Sequence, residues 1–195
     1  FTSLQEDHNH LEAIVNETST ISVDMSLHQN AGATIVQQLA YSIAHTNEYL
    51  NHIENKPSLK VIFNVSVGTN YFFEIAKLRA LRILWKTLAL EYGITTNCHI
   101  FATPTKRNKT LYDYNTNLLR TTTECMSAIL GGADTINNLA YDAIYHKSNE
   151  FGNRIARNQL WVLKHESYFD KVNNPSDGAY YIVNLTQQLP EKAME

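Results

Sequence analysis

From Thr20 onward the chain alternates short β-type runs with long amphipathic ones, and that alternation leaves few architectures open. A run of period two puts every second side chain on one face of a strand, whereas a stripe of period 3.6 needs a helix to gather it on one side. Strand and helix in strict turn is the pattern of β/α units, in which helices cross over a parallel sheet.

The first run, Ile21 to Leu27, sets Ile21, Val23, Met25 and Leu27 against Ser22, Asp24 and Ser26. Its helix is expected from about Ala31 to Ile53, with Val36, Leu39, Ile43, Leu50 and Ile53 on one stripe. Pro57 and Ser58 break that helix, and Lys60 to Gly68 reads as a second strand, with Val61, Phe63, Val65 and Val67 on one face and Ile62, Asn64 and Ser66 on the other. The spacing of Ile75, Leu78, Leu81, Trp85 and Leu88 predicts a helix over 71–92 that stops at Gly93. A third strand, Asn97 to Thr103, ends at Pro104, and a helix over 113–130 ends at Gly131-Gly132. A weaker fourth strand covers Thr135 to Leu139, and the last clear helix runs from Glu150 to His165. After the turn-rich Asn173 to Gly178 come a short run, Ala179 to Val183, and a terminal helix from Thr186. Leu4, Leu11, Ile14 and Val15 give residues 1–19 the spacing of a leading helix.

Four β/α units are half of an eight-stranded barrel, which takes about 250 residues. The 195 residues therefore read as a single α/β domain, half of a TIM-type barrel or a cut from a longer protein. An isolated half barrel would leave two strand edges unpaired, which favours self-association.

Composition removes several function classes. Sixteen basic and 19 acidic residues give a net charge of −3 with no basic cluster on the scale of a nucleic-acid footprint. No run approaches the roughly 20 apolar residues that span a bilayer, and Phe1 to Glu12 has neither the basic start nor the apolar run of a signal peptide. Cys98 and Cys125 lie in apolar segments without metal or redox spacing, as expected of reduced, buried thiols in a cytoplasmic protein. His8 and His10 form an HxH with no carboxylate or further histidine at ligand spacing, so no metal centre is expected there.

Function in a parallel barrel sits at the carboxyl ends of the strands. The polar positions Ser22, Asp24, Asn64 and Ser66 are unusual for a sheet buried on both sides. They either line a bore that admits a polar ligand or face solvent on an open half-sheet. Lys106-Arg107-Asn108-Lys109 could attract a phosphate, although such a run is more often a solvated loop.

Several segments resemble, in order, the barrel domain of methylmalonyl-CoA mutases. Gln29 to Thr34 is similar to the family's QEAGAT, and Gln38-Leu39-Ala40-Tyr41 with Glu48-Tyr49 continues the match. Gly68 to Ala80 resembles GMNFFMEVAKxRAA, followed by Leu84-Trp85. Arg120-Thr121-Thr122, Glu124, Met126 and Gly131-Gly132 resemble RTTxEAMAAxxGG, Arg154 to Asn158 is RIARN, and Asn174-Pro175, Gly178 and Tyr180-Tyr181 resemble DPWxGSYY.

The departures decide what the resemblance implies. Where catalytic subunits of the family carry a Tyr-His pair after the first strand, whose His hydrogen-bonds the thioester carbonyl, this chain has Ser26 and Leu27, with His28 one place out of register. The family's bore-facing Arg, His and Gln of strand three fall at His99, Phe101 and Thr103. The Arg and Ser of RLSFFW become Lys60 and Ile62, and the glutamate that holds the adenosyl ribose falls at Ala143. DxHxxG, which supplies the cobalamin-ligating histidine, does not occur. The resemblance is thus to the small subunit of the family's heterodimeric enzymes. It implies no catalytic residues, no cofactor bound by this chain, adenosylcobalamin in the large catalytic subunit, and Lys60, His99 and Thr103 as vestigial substrate contacts. The competing reading is an active acyl-CoA mutase or another barrel enzyme using Asp24, His28 or His99 as acid-base groups.

Overall fold

The short runs become neighbouring strands of one parallel sheet in the computed structural model, which describes residues 4–53 and 58–195. The strands are β1 Thr20–Asp24, β2 Lys60–Val67, β3 His99–Pro104 and β4 Thr135–Ile136, in the order β1-β2-β3-β4. The helices are α1 Leu4–Thr18, α2 Ser26–Asn30, α3 Ile35–Asn51, α4 Tyr71–Glu91, α5 Thr116–Leu130, α6 Glu150–His165 and α7 Tyr180–Met194. Four parallel strands with their helices are the α/β architecture of half a TIM-type barrel.

Register gives the sheet two chemically different faces. Ser22 pairs with Ile62 and Ile62 with His99, while Asp24, Asn64, Phe101 and Thr135 form the next rung. Side chains alternate along a strand, so Ser66 and Thr103 share that face. Ile21, Val23, Val61, Phe63, Val65, Ile100 and Ala102 point the other way and are buried with Leu39, Leu50, Leu78, Leu81, Trp85 and Ala128 in one core. The Phe63 and Trp85 rings meet edge-on, 6.1 Å between centroids. Each such side chain contributes about 1.5–3 kcal/mol on full burial, so stability is concentrated on the helix-covered face. α7 lies across α3 and α4, and α6 against α5.

Several boundaries differ from expectation for local reasons. β1 stops at Asp24, because Met25 turns into the helical region at φ −74° and ψ −18°. The Asp24 carboxylate then accepts the Ser26 N–H at 2.9 Å and the Ser26 hydroxyl at 2.5 Å, an Asx-type turn that opens α2. Ser26 and Leu27, expected at the end of the strand, are helical. α3 starts at Ile35 rather than Ala31: Gly32, at φ +109°, takes the chain out of α2, and Thr34 and Gln37 form a reciprocal capping box. β4 ends at Ile136 rather than Leu139, and the Asn138 side chain ties the chain to α6 through Ala156 O and Gln159 Oε1. The expected run Ala179 to Val183 and terminal helix from Thr186 are one helix, α7, with Pro190 inside it. The start of the leading helix, Phe1 to Ser3, and Pro57 lie outside the described residues.

Candidate functional site

At the carboxyl ends of β1, β2 and β3, on the polar face of the sheet, lies an open depression of 680 Å³. Asp24, Ser26, Leu27, Asn30, Asn64, Ser66, Phe101, Thr103, Lys106 and Arg107 line it. Its polar groups largely satisfy one another. Asn64 Nδ2 donates to Ser22 Oγ at 2.9 Å, and Asn30 Nδ2 donates to Ser66 Oγ at 3.2 Å and to Ser26 O at 2.9 Å. Asn30 Oδ1 in turn accepts the Thr105 hydroxyl at 3.0 Å and the Lys106 N–H at 3.1 Å. These bonds clamp α2 onto the strand ends and leave Leu27, 66% exposed, as an aliphatic lip.

The sheet therefore brings together Asp24, Ser26, Leu27, Asn64, Ser66 and Thr103, with Ser22 one rung below. It separates the rest. Lys60 opens β2, and at about 3.3 Å per residue it stands about 13 Å from Asn64 along the strand. His99 opens β3 and shares a hydrogen bond of 3.0 Å with Thr135 Oγ1. Asp24 and His99 are two strands apart, about 10 Å at the usual strand spacing, well beyond joint reach of one proton. His28 turns towards α3, its ring 5.1 Å from Tyr41 and 5.3 Å from His45, so it does not enter the depression.

The basic run divides. Lys106 and Arg107 are exposed, as a solvated loop requires, but the Lys109 side chain is 1% exposed and pairs with Glu124 at 2.7 Å. The solvated-loop expectation is corrected at Lys109. Asn108 Nδ2 also donates to Glu124 Oε1. Burial pushes the Glu124 carboxyl above its ordinary value and the Lys109 ammonium below its own, while each charge partly offsets the other's shift.

A second buried pair escaped sequence reading. Lys77 Nζ, with its side chain fully buried, lies 2.5 Å from Glu74 Oε2, and it donates to Ser66 O at 2.7 Å and Gln38 Oε1 at 3.1 Å. Gly68 permits this crowding: a Cβ there would lie 3.2 Å from Gln29 Nε2 and 3.3 Å from Glu74 Oε1. The available signal was that Glu74 and Lys77 flank Ile75 and Leu78 on the core side of α4, where an unpaired charge would be costly. Cys98 and Cys125 are free and buried, and burial raises their thiols to about 11 and about 12. They are poor nucleophiles at neutral pH. The depression thus offers hydroxyl and amide groups, two solvated cations and the Asp24 carboxylate, which holds the Ser26 hydroxyl at 2.5 Å.

A parallel β/α sheet with an open polar face and its loops at the strand ends defines a barrel-type α/β domain. The chain belongs to the methylmalonyl-CoA mutase family, whose model matches residues 6–195. It is 45% identical over 175 residues to the methylmalonyl-CoA mutase small subunit of Porphyromonas gingivalis, covering 84% of this chain and 28% of that protein. It is 34% identical over 189 residues to the methylmalonyl-CoA mutase of Rhizobium meliloti, covering 90% and 26%. The small subunit from Streptomyces virginiae is 32% identical over 185 residues, covering 90% and 30%. The chain thus spans less than a third of the length of these relatives. Among the described residues, no helix is long and apolar enough to cross a membrane.

Proposed function

We propose that this chain is the barrel segment of a non-catalytic small subunit, which supports a large catalytic subunit in isomerising methylmalonyl-CoA and succinyl-CoA. The observation that carries the proposal is the lip of the depression. Where the family's catalytic chains carry Tyr-His, Leu27 is exposed and aliphatic, and the Ser26 hydroxyl is already donated to Asp24. Neither Ser26 nor Leu27 then offers a free donor to a thioester carbonyl, and His28 faces α3.

The same donor set does not suit adenosylcobalamin. Among the described residues no histidine lines the depression, and the carboxylate that does, Asp24, is engaged by Ser26. On this reading adenosylcobalamin is held by the large subunit and not by the depression. The 45% identity to the Porphyromonas gingivalis small subunit supports the small-subunit reading, while the Rhizobium mutase and the Streptomyces virginiae small subunit, at 34% and 32%, do not discriminate. Lys60, His99 and Thr103 are then vestigial substrate positions, strung along one sheet face without converging. Reduced Cys98 and Cys125 suit the cytoplasm.

Purified chain, adenosylcobalamin and methylmalonyl-CoA should yield no succinyl-CoA, whereas addition of a catalytic large subunit should give a co-eluting, active complex. Turnover by the chain alone would overturn the proposal in favour of acid-base chemistry at Asp24, His28 or His99.

A further inference from the structure

Two histidines far apart in sequence meet a carboxylate at the end of α3. His8, on α1, stacks on His52, the residue that closes α3, with ring centroids 3.6 Å apart and planes inclined by 22°. His52 Nε2 lies 3.2 Å from Glu48 Oε1, one turn earlier on the same helix. One ligand atom from each of the three side chains lies within 4.8 Å of the other two. We propose that His8, Glu48 and His52 form a binding site for a divalent transition-metal ion of the zinc, cobalt or nickel type.

The geometry is close to what such an ion imposes. Nitrogen and oxygen donors about 2.0–2.1 Å from a tetrahedral ion stand about 3.3 Å from each other. The Glu48–His52 pair already has that bite, at 3.2 Å, because residues four apart share one helix face. A metal takes the place of the direct contact between them. His8 supplies the third donor from another element, and a small rotation of its ring closes the set.

Position and chemistry agree. The carboxyl end of a helix carries partial negative charge, which favours a cation beside its last turn. Two imidazoles and one carboxylate select borderline ions over Mg²⁺ and Ca²⁺, which take oxygen donors. His8 is half-buried while Glu48 and His52 are exposed, so an ion enters from solvent and water completes its coordination. Bound metal staples α1 to α3 and closes the loop between residues 8 and 52, which should stabilise the docking of the leading helix. His10, the other half of the HxH, is two residues on along α1 and therefore points away from this face.

The test is a titration of the metal-free chain with zinc sulfate by calorimetry, and with cobalt chloride by visible absorption. One equivalent should bind and raise Tm, with the strong d–d bands of a low-coordinate cobalt site. His8→Ala and His52→Ala should each weaken binding by about tenfold or more, and Glu48→Gln should weaken it too. His10→Ala should leave it unchanged, as should a large excess of magnesium chloride. All four positions lie on helix surfaces, and unchanged circular dichroism confirms folding. Absence of saturable one-equivalent binding, or binding that survives His8→Ala and His52→Ala, overturns the proposal.

Discussion

Lys77→Met is the sharpest probe of what holds the strand ends in place. The lysine side chain is fully buried, and its ammonium serves three oxygens: Glu74 Oε2 at 2.5 Å, Ser66 O at 2.7 Å and Gln38 Oε1 at 3.1 Å. Methionine fills a similar volume and donates nothing. The substitution therefore isolates the charge and its hydrogen bonds from packing. It leaves a carboxylate only 4% exposed without its counter-charge, and two oxygens without this donor. Breaking a buried pair from one side costs about 3–5 kcal/mol, and the orphaned acceptors are part of that loss rather than additional to it. For a chain of 195 residues, at about 2–4 °C per kcal/mol, Tm should fall by about 6–20 °C. Urea unfolding followed by far-UV circular dichroism measures the loss directly. The double variant Glu74→Gln/Lys77→Met removes the stranded charge, so it should be less destabilised than the sum of the two single changes. A Lys77→Met variant within about 1 kcal/mol of the parent, or strict additivity in the double variant, would refute the reasoning.

Further outcomes follow from buried groups elsewhere. Burial raises Cys98 and Cys125 from an ordinary 9.0 to about 11 and about 12, so each thiol stays protonated in the folded chain above the pH at which it ionises in the unfolded one. Their contribution to stability should be complete below pH 9 and should fall as pH rises to between 11 and 12. A thiol reagent at pH 8 should label both only in urea, and rapid labelling of the native chain would contradict this. In Gly152→Ala, the new Cβ would lie 2.6 Å from Asp142 Oδ1, whose carboxylate is held by Asn149 Nδ2 at 2.6 Å. That overpacking should cost about 1–3 kcal/mol, read as a lower urea midpoint, and an unchanged midpoint would show that the Asp142 turn yields freely.

The two-faced sheet was legible because period two is a local property. Val61, Phe63 and Val65 fall on the core side and Asn64 on the other whatever surrounds them. α6 was legible to the residue, since Asn149 accepts the Gly152 N–H and marks the start. α2 was not. Ser26 and Leu27 continue the alternation of β1, and only the Asp24 turn shows that the backbone has already changed direction. At the candidate site, Asp24, Asn64, Ser66 and Thr103 fall on one face of the sheet, while distance along the strands keeps Lys60 and His99 out of the depression.

By itself the amino-acid sequence determined the alternation of the main strands and helices and the apolar face of each. These depend on residue type and short-range spacing. Only the tertiary structure decided which polar groups find partners: Lys77 with Ser66 and Gln38, Lys109 with Glu124, Asn30 with Thr105, and His8 with His52. The physical reason is that a buried or crowded polar group is acceptable only where a complementary atom stands within about 3 Å, and that atom is supplied by a segment folded back from elsewhere in the chain.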